Sequence, residues 1–287
     1  MVIMSEVFGV IGGSGVYDID SLRESNWVAV KTPFGEPSDE ILTGVIGDQQ
    51  FAFLPRHGRG HRLSPTGINY RANIWALKSL GVRRILSVSA VGSLKEEHAP
   101  GDFVLVDQYI DRTVQRVNSF FANGCVGHVS MAHPVCSNLN QRVLEAAQQA
   151  HVSVHAGGTY VAIEGPQFSS QAESNLYRSW GCDVIGMTNM PEAKLAREAG
   201  MCYSSLAMVT DYDCWHPDHD AVTVDQVIAT LTSNSDKSKS IVAALSQVNS
   251  LCARPCACSE ANAYAKITAE HAQDPELVSQ LQCILDP

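Results

Sequence analysis

Two carboxylates spaced two apart, Asp211 and Asp213, follow a mostly apolar run with small polar breaks over residues 203–209. Such a run reads as a buried strand, and in an open α/β sheet ligands gather beyond the carboxyl ends of strands. Acids at that edge suit proton transfer to a bound small molecule. The same pair would serve equally well to cap the next turn if nothing else converged on it. Other residues do converge. Pro55-Arg56-His57-Gly58-Arg59-Gly60-His61-Arg62 gathers three arginines and two histidines in a glycine-broken loop. A guanidinium offers a fixed fork of donors that matches a phosphate. Gly12-Gly13-Ser14-Gly15 follows an apolar strand over residues 7–11. Its glycines let backbone N–H groups approach an anion, and Ser14 adds a hydroxyl. The stretch is neither GxGxxG nor a P-loop, since the lysine is missing.

The elements that must position these groups are legible in outline. Residues 41–54 read as a hairpin turning at Gly47-Asp48, and Ile74, Trp75 and Leu77 give residues 69–80 an apolar helical stripe. A strand over residues 84–88 runs into Ser89-Ala90-Val91-Gly92-Ser93, small hydroxyl residues and a glycine just past a strand end. A strand over residues 103–107, a helix over 138–151 and a strand over 157–163 follow, the last ending in Glu164-Gly165-Pro166-Gln167-Phe168. A helix over 171–180 precedes a short strand over 183–186, which ends in Met187-Thr188, and Pro191 suits the first turn of the next helix, running to residue 200. Thr223 and Gln226 form a capping box before Val224, Val227, Ile228 and Leu231, so a long helix is expected over 223–248. A long loop over residues 111–134 carries His128 and His133; loops of that length commonly act as lids or contacts. The alternation predicts an α/β fold, a single domain with a central mixed, mainly parallel sheet flanked by helices, with polar groups crowding one mouth. Residues 1–250 form the expected domain. Residues 251–287, where cysteine, proline and alanine collect, form a tail packed on or near it, with a short helix over 275–283.

Bulk properties narrow the function. With 287 residues, 45% of them hydrophobic, the chain can bury a full core. A formal charge of -10 argues against nucleic acid as a partner, though not against small anions in a locally positive pocket. No apolar run of 18 residues indicates a membrane span, and the first ten residues lack a secretory pattern, so a cytoplasmic protein is expected. Nine cysteines are many for that compartment, where free thiols are the rule. Cys256-Ala257-Cys258, near Cys252, would bind metal or cycle through a disulfide; no histidine or second CxxC stands beside it in the sequence, and no metal site is expected.

Taken together, these motifs resemble the trimeric purine nucleoside phosphorylase family, and within it the branch acting on 5′-methylthioadenosine. The resemblance covers residues 7–248 and rests on Gly12-Gly13-Ser14-Gly15, Arg56-His57-Gly58, Asn69-Tyr70-Arg71-Ala72-Asn73, Glu164-Gly165-Pro166-Gln167-Phe168, Gly186-Met187-Thr188 and Thr210-Asp211-Tyr212-Asp213-Cys214-Trp215 in order. It implies phosphorolysis, in which phosphate attacks the anomeric carbon of a purine nucleoside and the base departs. Ser14, Arg56, His57, Ser89, Thr188 and the backbone of Ala90 would surround phosphate. Met187 would lie under the ribose, and Phe168 would stack on the base or pack at the sugar. Asp211 would serve the purine N7, and Asp213 the 6-amino group. Relatives that handle 6-oxopurines carry Asn at the Asp211 position, so Asp here implies adenine. Val224 and Val227 would wall an apolar methylthio pocket. His128 would reach into a neighbouring subunit, which implies a homotrimer or a dimer of trimers.

The resemblance implies no metal or organic cofactor, phosphate being a co-substrate. The alternatives are a broader phosphorylase taking adenosine, inosine or methylthioinosine, and a nucleoside-binding protein without turnover. The second would be marked by loss of Arg56, Thr188 or Asp211, and all three are present. The family's usual C-terminal segment does not match the tail. Relatives from hot environments share a Cys-x-Cys tail and internal disulfides, which implies that Cys136–Cys202 and Cys256–Cys258 can pair.

Overall fold

A computed structural model describes residues 6–13, 15–217, 224–248 and 256–285, with only the backbone described for helix residues 224–229. In chain order its strands are β1 (Val7–Gly12), β2 (Arg23–Val28), β3 (Ile41–Ile46), β4 (Gln49–Pro55), β5 (Val82–Ser93), β6 (Phe103–Val106), β7 (Gln108–Asp111), β8 (Val154–Ala156), β9 (Thr159–Ala162), β10 (Val184–Gly186) and β11 (Cys202–Asp211). Its helices are α1 (Tyr70–Ser79), α2 (Ser137–Gln149), α3 (Gln171–Ser179), α4 (Asn189–Glu198), α5 (Val224–Leu245) and α6 (Pro275–Leu285). The strands form one mixed sheet in the order β2-β3-β4-β1-β5-β10-β9-β7, with β11, β6 and β8 branching from β5.

Strand side chains alternate between faces, and here both faces are apolar. Phe8, Val10, Phe51, Phe53, Leu86 and Val88 pack into one core with Val143 of α2 and Ile241 of α5. Ile11, Ala52, Leu54 and Ile85 pack into the other with Ile74 of α1, Leu195 of α4 and Leu281 of α6. Helices therefore cover both sides of the sheet. Residues 256–285 share this core: Ile284 is fully buried, Asn262 donates to the carbonyls of Glu198 and Ile284, and Lys78 Nζ donates to Ala199 O at 2.6 Å.

Strand β5 is longer than the sequence suggests. Ser89-Ala90-Val91-Gly92-Ser93 does not lie past the strand but forms its second half, because β11 stays paired in parallel as far as Asp211 opposite Gly92. The other edge of β5 behaves differently. There β1 pairs only as far as Ser87, and β10 takes up antiparallel pairing at Gly92 and Ser93. Between them the sheet forks and leaves a gap beside residues 88–91. Residues two apart along a strand present their N–H groups to the same edge, so Ala90, between Val88 and Gly92, faces the gap. Strands β2, β7 and β8 had no clear apolar alternation to announce them; β2 reads Arg-Glu-Ser-Asn-Trp-Val and is exposed along most of its length.

Candidate active site

A cavity of about 560 Å³ opens at the fork, and its walls include Arg56, His57, Ser89, Ala90, Phe168, Met187, Thr188, Asp211 and Asp213. The fold thus collects nine residues that the sequence reading assigned to one site. Ser14, and the side chains of Val224 and Val227, lie outside the described residues. His128 does not line this chain's cavity; it sits exposed on its loop, its N–H donating to Ala265 O.

Of the three arginines in the basic loop, only Arg56 lines the cavity. Arg59 binds Asp39 and Glu40 and lies over the Trp27 ring, while Arg62 donates to Ser38 O. Arg56 is 1% exposed. Its Nε donates to Glu192 Oε2 at 2.9 Å and its Nη2 to Glu192 Oε1 at 3.1 Å and to Ser87 Oγ at 2.6 Å. Most of the fork is therefore engaged within the protein. One Nη1 hydrogen goes to Val88 O at 2.9 Å, inside the gap, and Nη1 carries a second for the cavity. Burial works against the Arg56 charge, but the Glu192 carboxylate outweighs it and raises the pKa. Glu192, on α4, also accepts from Tyr203 OH at 2.8 Å. Sequence reading gave it no role, since a buried acid declares itself only once its cation is placed.

His57 Nδ1 lies 2.8 Å from Leu63 O. A carbonyl can only accept, so Nδ1 carries the hydrogen and a neutral ring offers Nε2 as an acceptor. Burial, with the Arg56 charge and the stacked His61 adding to it, lowers the His57 pKa to about 4, against the Leu63 bond. Hydroxyls surround this end. Ser89 Oγ and, on α5, Ser235 Oγ are buried and have no hydrogen-bond partner among the described residues. Thr188 is the N-cap of α4 yet makes no side-chain cap bond; its N–H reaches Tyr160 OH at 3.4 Å. Gly186 sits against that phenol, where no Cβ would fit. Unpartnered hydroxyls and one cationic N–H suit an oxyanion.

At the other pole, the pairing register of β11 shifts between Val209 and Asp211, a bulge that re-aims the strand end. Asp211 Oδ2 accepts from Thr210 Oγ1 at 2.7 Å and Oδ1 from the Asp213 N–H at 2.8 Å. Asp213 takes a left-handed backbone conformation, φ 53°, that Asp tolerates better than most residues. Burial raises the pKa of both carboxyls, and for Asp213 the neighbouring Asp211 charge adds to it. Gly92 is needed opposite them: a Cβ there would lie 2.9 Å from Asp211 Oδ1 and 3.1 Å from Ile185 Cγ2. Trp215 Nε1 donates to Ser93 O at 2.7 Å and ties the segment after the acids to β5.

Between the poles the walls are apolar: Val88, Val91, Ile163, Ile185, Met187 and Met208, with Phe168 at the rim, 59% exposed. Buried Arg116 holds the Met187 loop, donating to Met190 O at 2.6 Å, to Met187 O and to Glu164 Oε1 at 3.1 Å. Glu164, part of a quoted motif, thus serves Arg116. On α5, Leu231 and Ser235 line the cavity one helical turn apart. The capping-box pattern identified their helix but not this register, and the sequence reading missed both as site residues, as it missed Arg116.

Residues 7–247 match the Phosphorylase superfamily. The S-methyl-5′-thioadenosine phosphorylase of Cereibacter sphaeroides is 57% identical over 285 residues, 98% of this chain and 98% of that protein. That of Geobacter sulfurreducens is 54% identical over 98% of this chain and 99% of its own. Among solved structures, a methylthioadenosine phosphorylase from an Antarctic soil metagenomic library superposes with a TM-score of 0.93 at 46% identity, covering 98% of this chain and 99% of its own. A variant of the Schistosoma mansoni adenosine/methylthioadenosine phosphorylase in complex with adenine superposes with a TM-score of 0.80 at 39% identity, covering 85% and 91%.

Glu192→Gln should leave the buried Arg56 charge uncompensated, at a cost of about 3 kcal/mol. Denaturant unfolding of wild type and variant measures it. The His57 ring gives a pH dependence. Below pH 6.5 the unfolded chain takes up a proton there that the folded site refuses until about pH 4, so this group lowers stability as pH falls across that window. In His57→Gln, the slope of unfolding free energy against pH between 4 and 6.5 should become shallower by up to about 1.4 kcal/mol per pH unit.

Proposed function

The chain belongs to the phosphorylase superfamily, and on that premise we propose that it cleaves S-methyl-5′-thioadenosine with inorganic phosphate to adenine and 5-methylthio-ribose 1-phosphate. The observation that carries the reading is one cavity with a cationic, hydroxyl-lined pole at Arg56, Ser89 and Thr188 and an acid pair, half-buried Asp211 and buried Asp213. Phosphate takes the first pole. Arg56 Nη1, the Ala90 N–H and the Ser89 and Thr188 hydroxyls donate to its oxygens, and neutral His57 Nε2 accepts from its P–OH. A phosphate oxygen then bonds to the anomeric carbon as the C1′–N9 bond breaks, and the bonding pair leaves with the purine. The sugar is cationic in between, over Met187, and the adjacent phosphate charge stabilises it.

The departing adenine gains its proton at N7 from Asp211, whose burial keeps the acid form nearer neutrality. Asp213 accepts from the 6-amino group. The methylthio group occupies the apolar part of the cavity at Leu231; Val224 and Val227, assigned to it by resemblance, have side chains outside the described residues. Phosphate is a co-substrate, and the reaction calls on no metal or organic cofactor. His128, exposed and outside its own chain's cavity, completes the site of a neighbour in a homotrimer or a dimer of trimers. Val126 and Ile267, exposed apolar residues joined to the same loop, suit such a contact. Among the described residues no helix is long and apolar enough to cross a membrane; we place the enzyme in the cytoplasm. Adenosine is the second substrate to test, because the Schistosoma mansoni relative bears both names.

The test is adenine release from S-methyl-5′-thioadenosine with and without phosphate, beside adenosine and methylthioinosine. Phosphate-dependent release from the methylthio substrate is expected, with adenosine slower. Asp211→Asn should lose about 10²–10⁴-fold in turnover of adenine nucleosides and gain on the 6-oxo form. Release without phosphate, or turnover of methylthioinosine only, would overturn the proposal.

A further inference from the structure

Away from that cavity, the fold brings together four cysteines from three parts of the chain. Cys136 is the N-cap of α2, Cys202 the first residue of β11, and Cys256 and Cys258 stand two apart in the C-terminal segment. Their four Sγ atoms all lie within 4.8 Å of one another, and none of the four residues lines the cavity. Cys136, Cys202 and Cys258 are buried and Cys256 half-buried. The disulfides implied by resemblance, Cys136–Cys202 and Cys256–Cys258, are not formed; all four are free thiols in one cage, with Cys202 and Cys256 Sγ 3.2 Å apart. Nor is Cys-x-Cys alone, as the sequence suggested: its missing partners arrive from residues 136 and 202.

The cage has the chemistry of a closed metal site. Four thiolates at Zn–S distances of about 2.3 Å stand about 3.8 Å from one another in a tetrahedron, within the spread seen here. Sulfur-only ligands in that geometry select a soft divalent ion, and four protein ligands leave no open position for catalysis. Arg197 Nη1 lies 3.6 Å from Cys258 Sγ. It supplies an outer-shell donor, and a positive charge, to a centre on which four thiolates would outweigh a divalent cation by two. The backbone is fixed around the cage, with the Cys136 N–H donating to Tyr203 O at 2.8 Å.

We propose that Cys136, Cys202, Cys256 and Cys258 bind one Zn²⁺ per chain as a structural centre that pins residues 256–285 to the starts of α2 and β11. Each thiol gives up its proton on binding, with no redox change. The test is elemental analysis of the intact protein purified with a non-thiol reductant. About one zinc per chain is expected; a mercurial thiol reagent should release it into a zinc-binding dye. Cys258→Ser should lose the metal and Cys283→Ser should keep it. If Cys258→Ser fails to fold, cobalt(II) exchanged into the unaltered chain should show intense thiolate-to-cobalt charge-transfer absorption. Protein without metal whose four thiols alkylate freely in the native state would overturn the proposal. So would disulfide-linked peptides joining these cysteines, or iron in place of zinc.

Discussion

An arginine with 1% of its surface exposed, paired through two N–H groups with an equally buried glutamate, is the contact on which the site depends. Removing either charge from water costs several kcal/mol, and the cost is met only when every donor and acceptor finds a partner. Here they do. Arg56 stands just beyond β4 and spends its hydrogens on Glu192 of α4, Ser87 and Val88 of β5 and Ile11 of β1. Glu192 in turn accepts from Ser87 and from Tyr203 of β11. One side chain therefore fixes the relative positions of three neighbouring strands and helix α4. It does so in the gap between β1 and β10, where β5 would otherwise face unpaired.

The fork and the ion pair explain each other. A continuous sheet would close the edge of β5 and bury Ala90 in a ladder; without Arg56 the Val88 carbonyl would lack a partner. The fork also separates two electrostatic environments within one cavity. At one pole the nearest fixed charge is a guanidinium already matched by a carboxylate, so the attraction for an anion comes from oriented N–H and O–H groups. At the other, two carboxyls are crowded into an apolar setting. The walls between them are apolar, so a ligand that fills the cavity and displaces its water would strengthen the electrostatics at both poles.

What the sequence disclosed follows from the range of the forces involved. Asp211 and Asp213 were legible because a strand announces itself by its apolar run, and residues just past it must lie at a sheet edge. Hydroxyls and glycines at other strand ends pointed to the same mouth for the same reason, and the ordered motifs then joined them through resemblance. Partners set by long-range geometry were not legible. Glu192 stands 136 positions from Arg56, Arg116 holds the Met187 loop from 71 positions away, and neither has a local pattern. Ser89 was assigned to the site although its place in β5 was misjudged, because a hydroxyl beside a strand end and one inside a strand edge can face the same cavity. Cys136 and Cys202 show the limit most plainly: with 65 intervening residues, nothing local could join them to Cys256 and Cys258.

The placement of the acids has a further consequence for charge. A phosphate dianion brought beside Asp211 and Asp213 would be repelled if both were ionised, and the chain as a whole is already acidic. Burial has raised both pKa values, and an anion in the same cavity raises them further, since like charge disfavours ionisation. Phosphate binding and proton retention at the acid pair are thus linked. In the proposed reaction, the proton that adenine needs on leaving would be held more firmly with the nucleophile in place than without it. His57 fits the same arrangement. Kept neutral by burial beside Arg56, it adds no charge to bind the anion and no charge to draw the proton from Asp211. The reactive state of the cavity is reached by filling it, and the groups that make this so are those whose burial the sheet fork enforces.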